Sequence, residues 1–188
     1  MIKIDKTATV SNTAKIYDNA KILGYSRILD NVIIAGNAII DGSDETVISD
    51  NAQVYDNAYV HAVHVNNGYA EPGISDYAKI YGNAEICDQC YISQYVQVYD
   101  RAKVNGPANI KGNVKIYGNS IISDGRITGN TKIYGNAKIP YSYELNSIEP
   151  YIECNIICGN SIIFSFVNIT NNNLIICGKA RLKNIDLN

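Results

Sequence analysis

Residues 14–22 read Ala14-Lys15-Ile16-Tyr17-Asp18-Asn19-Ala20-Lys21-Ile22, which is one six-residue unit followed by the first half of the next. In each unit a small residue is followed, two positions later, by an aliphatic residue. This alternation is the period of a β-strand, in which every second side chain points to the same side. Six residues have room only for one short strand and a bend, so the unit predicts one side of a coil.

The unit recurs along most of the chain. It resumes at Thr46 after a slip of two residues, at Ala78 after a longer interruption, and at Gly125 after a deletion of one residue. Glycine and asparagine tolerate the left-handed backbone conformation of a sharp corner, and they stand at many of the bends, as in Gly118-Asn119. The spacing therefore predicts a solenoid of short strands.

A second period of about 18 residues marks one side in three. Tyrosine recurs at Tyr81, Tyr99, Tyr117 and Tyr134, at separations of 18, 18 and 17 residues. Three sides of six residues close a triangular coil. About nine such coils, spaced by roughly 4.8 Å, would form a rod about 43 Å long. We therefore predict an all-β fold, a parallel β-helix of about 18 residues per coil.

The repeat also resembles a known family. Read from the aliphatic residue, the unit is Ile-x-x-x-Ala-x, as in residues 16–21, and it resembles the hexapeptide repeat of left-handed β-helix proteins, many of which are acyltransferases. The Tyr-Gly-Asn-Ala-Lys-Ile form at residues 134–139 is most similar to YdcK-type solenoids. The resemblance covers roughly residues 8–139. It implies a left-handed helix and, because the family usually forms trimers, a homo-oligomer; it implies less about function, which depends on sites placed on a fold.

The repeat fails at two places, which sets the predicted organisation of the chain. The distance from Tyr55 to Tyr81 is 26 residues, eight more than one coil, so residues 61–77 are predicted to contain an extruded loop. The pattern fails again after residue 139. We predict a regular β-helix over residues 1–139, followed over residues 140–188 by an irregular loop and terminal coils or a cap of the same solenoid.

Composition excludes several classes of function. The formal net charge is −2 without blocks of like charge, which argues against partners such as nucleic acids or anionic membranes. No apolar run approaches the roughly 20 residues that span a bilayer, and the N-terminus lacks the apolar core of a signal peptide. Five cysteines at irregular spacings favour reduced thiols, so a cytoplasmic location is expected.

His61 and His64 are the only histidines, and both lie at the predicted entry to the loop. The resemblance implies a role for them, because a histidine near a loop acts as general base in hexapeptide acyltransferases. An imidazole suits this role since its pKa lies near neutral. The alternative is that both are ordinary polar residues at a loop entry. Two histidines do not reproduce the three zinc ligands of γ-class carbonic anhydrases, so no metal site is predicted.

The cysteines allow two pairings. Cys87 and Cys90 have the spacing of half a zinc site or of a redox pair, but in the repeat register Cys90 takes the small inward position and Cys87 points outward. Core packing is therefore the favoured interpretation for Cys90. Cys158 and Cys177 are expected on adjacent coils, within disulfide reach if aligned. A reducing cytoplasm predicts that these two stay as thiols.

The tyrosine column and the lysines beside it form a predicted partner-binding face. One interpretation of the tyrosines is stacking between coils, which stabilises neighbouring strands; the other is a stripe that binds a partner, since tyrosine is enriched at interfaces. Lysines in such a stripe are more often only solvated. The predicted face consists of Tyr17, Tyr55, Tyr81, Tyr99, Tyr117, Tyr134, Lys79, Lys115 and Lys132.

Two functions from different classes follow. The first is a non-catalytic solenoid that offers flat faces and a loop to another protein or to a second copy: a scaffold, a self-assembly element or an inhibitor, of the kind that phages and mobile elements encode. It needs no cofactor. The second, implied by the resemblance, is an acyltransferase that uses acetyl-coenzyme A, with His64 or His61 as general base. The first is favoured because the short chain shows no helical acyl-donor or acceptor domain.

Overall fold

The computed structural model describes residues 1–43, 46–61, 73–88, 90–141, 149–164 and 167–187. These residues form short β-strands joined by turns, and no helix among them is long and apolar enough to cross a membrane.

The first ten strands are β1 (Lys3–Ile4), β2 (Thr9–Val10), β3 (Lys15–Ile16), β4 (Lys21–Gly24), β5 (Arg27–Ile28), β6 (Ile33–Ile34), β7 (Ile39–Gly42), β8 (Val47–Ile48), β9 (Gln53–Val54) and β10 (Tyr59–His61). The next ten are β11 (Gly73–Ile74), β12 (Lys79–Ile80), β13 (Glu85–Cys87), β14 (Tyr91–Ile92), β15 (Gln97–Val98), β16 (Lys103–Val104), β17 (Asn109–Ile110), β18 (Lys115–Ile116), β19 (Ile121–Ile122) and β20 (Arg126–Ile127). The last nine are β21 (Lys132–Ile133), β22 (Lys138–Ile139), β23 (Tyr151–Ile152), β24 (Ile156–Ile157), β25 (Ile162–Ile163), β26 (Val167–Ile169), β27 (Ile175–Ile176), β28 (Arg181–Leu182) and β29 (Ile185–Leu187).

Every third strand belongs to the same sheet, so three parallel sheets form the three faces of the rod. Sheet 1 takes every third strand from β1 to β28, sheet 2 from β2 to β29, and sheet 3 from β3 to β27. Equivalent residues of successive coils lie opposite one another: Lys79 pairs with both Gln53 and Gln97. The described strands make about nine turns of about 18 residues, and the predicted fold, a left-handed parallel β-helix, is confirmed.

The rod continues on both sides of residues 62–72. Strand β10 ends at His61 and β11 begins at Gly73, and each pairs in register with the coils before and after it. The predicted loop borders at residues 61 and 77 are therefore corrected, because His61 and residues 73–77 belong to the rod. The sequence pattern missed this because Pro72 stands where the small inward residue is expected. The remainder of the predicted loop, which includes His64, lies outside the described residues.

The C-terminal residues 149–187 extend the same three sheets. Strands β23 to β29 each pair in parallel with the strand one coil earlier on their face, as Ile152 does with Ile127 and Ile157 with Ile133. This segment therefore adds terminal coils to the solenoid.

The core is a column of aliphatic side chains inside the triangle. Ile22, Ile80 and Ile116 are fully buried, and so are the small residues that precede such positions, for example Ala20 and Ala102. Each buried aliphatic side chain contributes about 1.5–3 kcal/mol relative to exposure. The small residues thus fill the interior next to the corners, and the aliphatic residues fill the interior along the faces.

The corners need a backbone in the left-handed region, and aspartate and glycine provide it. Asp100 has φ +59°, and Gly118, at the same corner of the next coil, has φ +73°. The Asp100 carboxylate accepts a hydrogen bond from the Gly118 amide at 3.1 Å. A Cβ on Gly118 would lie 2.9 Å from the amide nitrogen of Gly135, so this corner also needs glycine for close stacking.

Asparagine side chains beside this corner link successive coils. The amide of Asn19 donates to Asn37 Oδ1 at 3.2 Å, Asn37 donates to Asn57 at 3.0 Å, and Asn57 donates to Asn83 at 3.1 Å. A second run joins Asn119, Asn136 and Asn160 in the same way. The corner is therefore hydrogen-bonded through side chains as well as through the backbone.

Three substitutions test which side chains point inward. Ile116→Asp should cost about 4 kcal/mol or more, because it places a charge in the apolar core, and Ala102→Leu should cost about 1–3 kcal/mol through overpacking. Lys115→Ala changes an outward side chain and should stay within about 0.5 kcal/mol. Urea unfolding followed by circular dichroism measures all three. Equal midpoints would contradict the assignment of inside and outside.

Candidate functional site

The outer side of sheet 3 carries two straight columns of side chains. Lys79, Gln97, Lys115 and Lys132 form the first, since consecutive members pair in register. The second column consists of the residue that directly follows the core aliphatic residue in each coil, and it carries the tyrosines. We call the two columns together the tyrosine face; it contains Tyr55, Tyr81, Tyr99, Tyr117, Tyr134, Lys79, Gln97, Lys115 and Lys132.

Five tyrosine rings of this face form one continuous stack, from Tyr55 through Tyr81, Tyr99 and Tyr117 to Tyr134. Consecutive ring centroids lie 4.8–4.9 Å apart and the planes are within 12° of parallel. This distance equals the spacing of strands in a sheet, about 4.8 Å, so each coil places its ring directly over the next. The predicted stacking between coils is confirmed, and partner binding by this face stays a prediction.

Tyr17 belongs to the same column but not to the stack. Ala35 occupies the coil between Tyr17 and Tyr55, and Tyr17 is 47% exposed. Ala35 follows the core residue Ile34, at the position that a tyrosine takes on the coils of the stack. The stack therefore covers the coils from residue 55 to residue 134.

The stack exposes ring edges and hydroxyl groups on the outer side of sheet 3. Because the faces of Tyr81, Tyr99 and Tyr117 are covered by the neighbouring rings, these residues cannot offer an aromatic face to a flat ligand. Burial raises the pKa of Tyr99 to about 12, with further contributions from the neighbouring phenols. The Tyr99 hydroxyl is therefore neutral at physiological pH.

The lysines of the tyrosine face are not neutralised by described neighbours. The ion pairs found in the described part of the chain involve Lys3, His61 and Lys103, all on sheet 1. Lys115 and Lys132 lie on adjacent coils, directly opposite each other in the strand register. This part of the face consequently carries two adjacent ammonium groups.

The outer side of sheet 1 brings His61 next to Glu85 and Cys87. In the register of β10 and β13, His61 lies opposite Cys87, and Tyr59 lies opposite Glu85. The Nε2 atom of His61 is 4.0 Å from Glu85 Oε1. The donor atoms of His61, Glu85 and Cys87 all lie within 4.8 Å of one another. No metal site was predicted from the sequence, in which His61 is separated from Glu85 and Cys87 by the insertion after residue 61.

Neighbouring side chains hold this cluster in place. The Tyr59 ring stacks on the His61 imidazole, with centroids 4.7 Å apart and planes 19° from parallel. The Tyr59 hydroxyl donates to Asp41 Oδ2 at 3.3 Å. The Lys103 ammonium lies 2.5 Å from Glu85 Oε2. The imidazole and the carboxylate are therefore both oriented by contacts outside the cluster.

The Cys87 thiol is not an activated nucleophile. Burial and the negative charges of Asp88 and Glu85 together raise its pKa to about 12, against a smaller opposite effect of Lys103. The thiol is thus protonated at neutral pH, whereas a reactive cysteine has a lowered pKa.

Cys90 occupies the core position that the sequence predicted. It is fully buried, and its thiol donates to the Cys87 carbonyl oxygen at 2.7 Å. Cys87 points outward, as expected, but it is only 8% exposed. A shared site of these two thiols is therefore not formed.

Cys158 and Cys177 form a disulfide, so the prediction that they stay as thiols is wrong. Ile157 pairs with Ile176, which places the two cysteines opposite each other on adjacent coils, with Cα atoms 4.6 Å apart. This separation lies within the range of disulfides. The expectation of free thiols rested on a cytoplasmic location, which itself stays a prediction.

Comparison with known proteins finds similarity among solved structures. No protein-family profile matches the chain, and no protein of curated function matches it. A crystal structure of a UDP-N-acetylglucosamine acyltransferase is similar, with a TM-score of 0.49 and 14% identity over 94% of this chain and 71% of that chain. A likeness at this level carries no argument about activity. The fold assignment rests on the strand pairing described above.

The tyrosine stack predicts a loss of stability at alkaline pH. In the folded chain the pKa of Tyr99 is about 12, compared with 10.0 for an ordinary tyrosine. The folded state therefore keeps the proton where the unfolded chain loses it, so stability is unaffected below about pH 10 and falls between about pH 10 and about pH 12.

Tyr99→Phe tests this effect, because it keeps a stacked ring but removes the ionisable hydroxyl. The fall in urea midpoint above about pH 10 should become shallower in this variant. Tyr17→Phe, which lies outside the stack, serves as the control and should follow the wild type. An unchanged pH profile in Tyr99→Phe would contradict the assignment.

Proposed function

We propose that this chain is a non-catalytic β-solenoid whose tyrosine face binds an acidic surface of another protein. The observation that carries the proposal is the continuous stack from Tyr55 to Tyr134, with its flanking lysines. Tyrosine is favoured at interfaces because it combines a large apolar surface with a hydroxyl group. The face thus has the composition of a docking surface.

Order within the stack supports binding. Each inner ring is already held between two others at 4.8–4.9 Å, so little side-chain entropy remains to be lost on association. Ordering a free side chain at an interface costs about 0.5–1.5 kcal/mol. A row of fixed rings on a rigid sheet avoids most of this cost and makes a flat, rigid partner surface the best match.

Charge indicates the chemistry of the partner. Lys115 and Lys132 stand side by side, and Lys79 lies two coils away from Lys115 in the same column. Two copies docked through this face would bring ammonium groups together, which is unfavourable. A different protein with clustered aspartate or glutamate side chains fits better. Self-association, which the resemblance implies, would then use another face.

Site-directed photo-cross-linking in the source cells tests the proposal. A photoreactive amino acid replaces Gln97 in the tyrosine face, or Asn109 on sheet 2 as the control position. We expect one protein adduct from position 97 and none of that mass from position 109. The adduct should disappear in Lys79→Glu/Lys115→Glu/Lys132→Glu, because the reversed charges repel an acidic surface.

A matched variant separates local charge from net charge. Lys21→Glu/Lys111→Glu/Lys138→Glu makes the same change in net charge on the other two faces and should leave the adduct intact. Loss of the adduct in both triple variants, or its persistence in both, would overturn the proposal. An adduct of twice the chain mass would show self-association through this face and would also overturn it.

A second candidate function is acetyl transfer from acetyl-coenzyme A. One contact favours it: the Glu85 carboxylate, 4.0 Å from His61 Nε2, can orient an imidazole that acts as general base. In that reaction the acceptor hydroxyl or amine attacks the thioester carbonyl and its proton passes to His61. The carbon–sulfur bond then breaks, and the proton passes from His61 to the departing sulfur, so that coenzyme A leaves as the thiol.

Isothermal titration with acetyl-coenzyme A tests this candidate. Binding by the wild type, followed by thiol release in the presence of an acceptor, would support it if His61→Ala abolished the release. Tyr59→Phe, which keeps the ring stacked on His61, is the matched control and should retain release. Absence of binding would exclude acetyl transfer from acetyl-coenzyme A.

A further inference from the structure

We infer that His61, Glu85 and Cys87 form a binding site for one zinc ion on the outer side of sheet 1. Their donor atoms lie within 4.8 Å of one another. In a tetrahedral zinc site, bonds of about 2.0–2.3 Å place the ligand atoms roughly 3.3–3.8 Å apart. The three ligands project from two adjacent, paired strands, β10 and β13, and donor atoms about 1–1.5 Å closer together would match the zinc geometry.

The chemistry of the three donors selects the metal. The cluster offers one imidazole nitrogen, one carboxylate oxygen and one sulfur. Zinc accepts all three donor types, whereas calcium and magnesium prefer sites built from oxygen alone. Zinc binding displaces the thiol proton of Cys87 to solvent, since the thiolate is the ligand. Three protein ligands leave a fourth position for water or for a ligand atom from elsewhere.

The surroundings of the cluster suit a metal site. The Lys103 ammonium pairs with Glu85 Oε2, which leaves Glu85 Oε1 directed toward His61. The Tyr59 ring stacks on the imidazole of His61 and fixes its plane. Cys87 is 8% exposed, so the sulfur is shielded from bulk water. Contacts of this kind orient metal ligands and raise the affinity for the ion.

Asn105 supplies an independent observation. It follows β16 directly and continues the column of His61 and Cys87 on the next coil. Its side-chain Oδ1 is buried and has no hydrogen-bond partner among the described residues. Buried acceptors are usually satisfied, and a metal-bound water at the cluster would offer a donor to this acceptor, which the strand register places one coil from Cys87.

Metal titration of the purified chain, without a histidine tag and stripped with a chelator, tests the inference. Calorimetry with Zn²⁺ should give one site per chain, and Co²⁺ should give the absorption band that marks a thiolate ligand. His61→Ala and Cys87→Ser should each weaken Zn²⁺ binding by roughly 100-fold or more, because changes outside the first ligand shell already cost 10–100-fold. Glu85→Gln, which keeps the shape of the side chain, should weaken binding as well.

Cys154→Ser is the matched control, since it removes another buried free thiol away from the cluster. It should keep both the zinc site and the cobalt–thiolate band. The inference is overturned if Cys87→Ser keeps the band, if Cys154→Ser abolishes it, or if the wild type binds Zn²⁺ no more tightly than Cys87→Ser. Circular dichroism of each variant confirms that it folds. The result is independent of the tyrosine face, which lies on sheet 3.

Discussion

The in-register parallel pairing of successive coils is the constraint on which the rest of the structure depends. Because each residue lies about 4.8 Å above its equivalent one coil earlier, every column of the sequence becomes a column of contacts. Tyr99 lies between Tyr81 and Tyr117, and Asn37 bonds to Asn19 and Asn57. A residue type that stacks well on itself is therefore favoured at each position, and this explains why the sequence repeats.

The corners allow this register to persist. A turn through the left-handed region costs most residues about 1–2 kcal/mol, and glycine and aspartate reduce that cost in different ways. Gly118 has no Cβ, whereas Asp100 uses its carboxylate to bind the Gly118 amide of the next coil. Both choices keep the coils at strand spacing, so the flat faces depend on the corner residues.

The three-sided coil, the buried positions and the tyrosine column could be predicted because each recurs in the printed sequence. The cluster of His61, Glu85 and Cys87 could not be predicted, since Glu85 and Cys87 lie 24 and 26 residues from His61 along the chain. None of the three residues recurs in its own column, so no repeat pointed to them. The insertion after His61 hides that Cys87 is one coil away. The pairing of Cys158 with Cys177 shows the opposite case: their proximity followed from the repeat, but the sequence gives no direct sign of their oxidation state.

A column that repeats one residue type and a column whose residue type changes from coil to coil therefore give different kinds of surface on the same backbone. On sheet 3 the same ring recurs over five coils, which makes an extended surface suited to a macromolecule. On sheet 1 the positions around His61 hold a different side chain on every coil, and donors of three kinds meet. Their donor atoms lie within 4.8 Å of one another, which is about the strand spacing itself, so paired strands of the regular backbone bring them together. A local site of this kind arises where the repeat changes, and the regular coils on either side keep its geometry fixed.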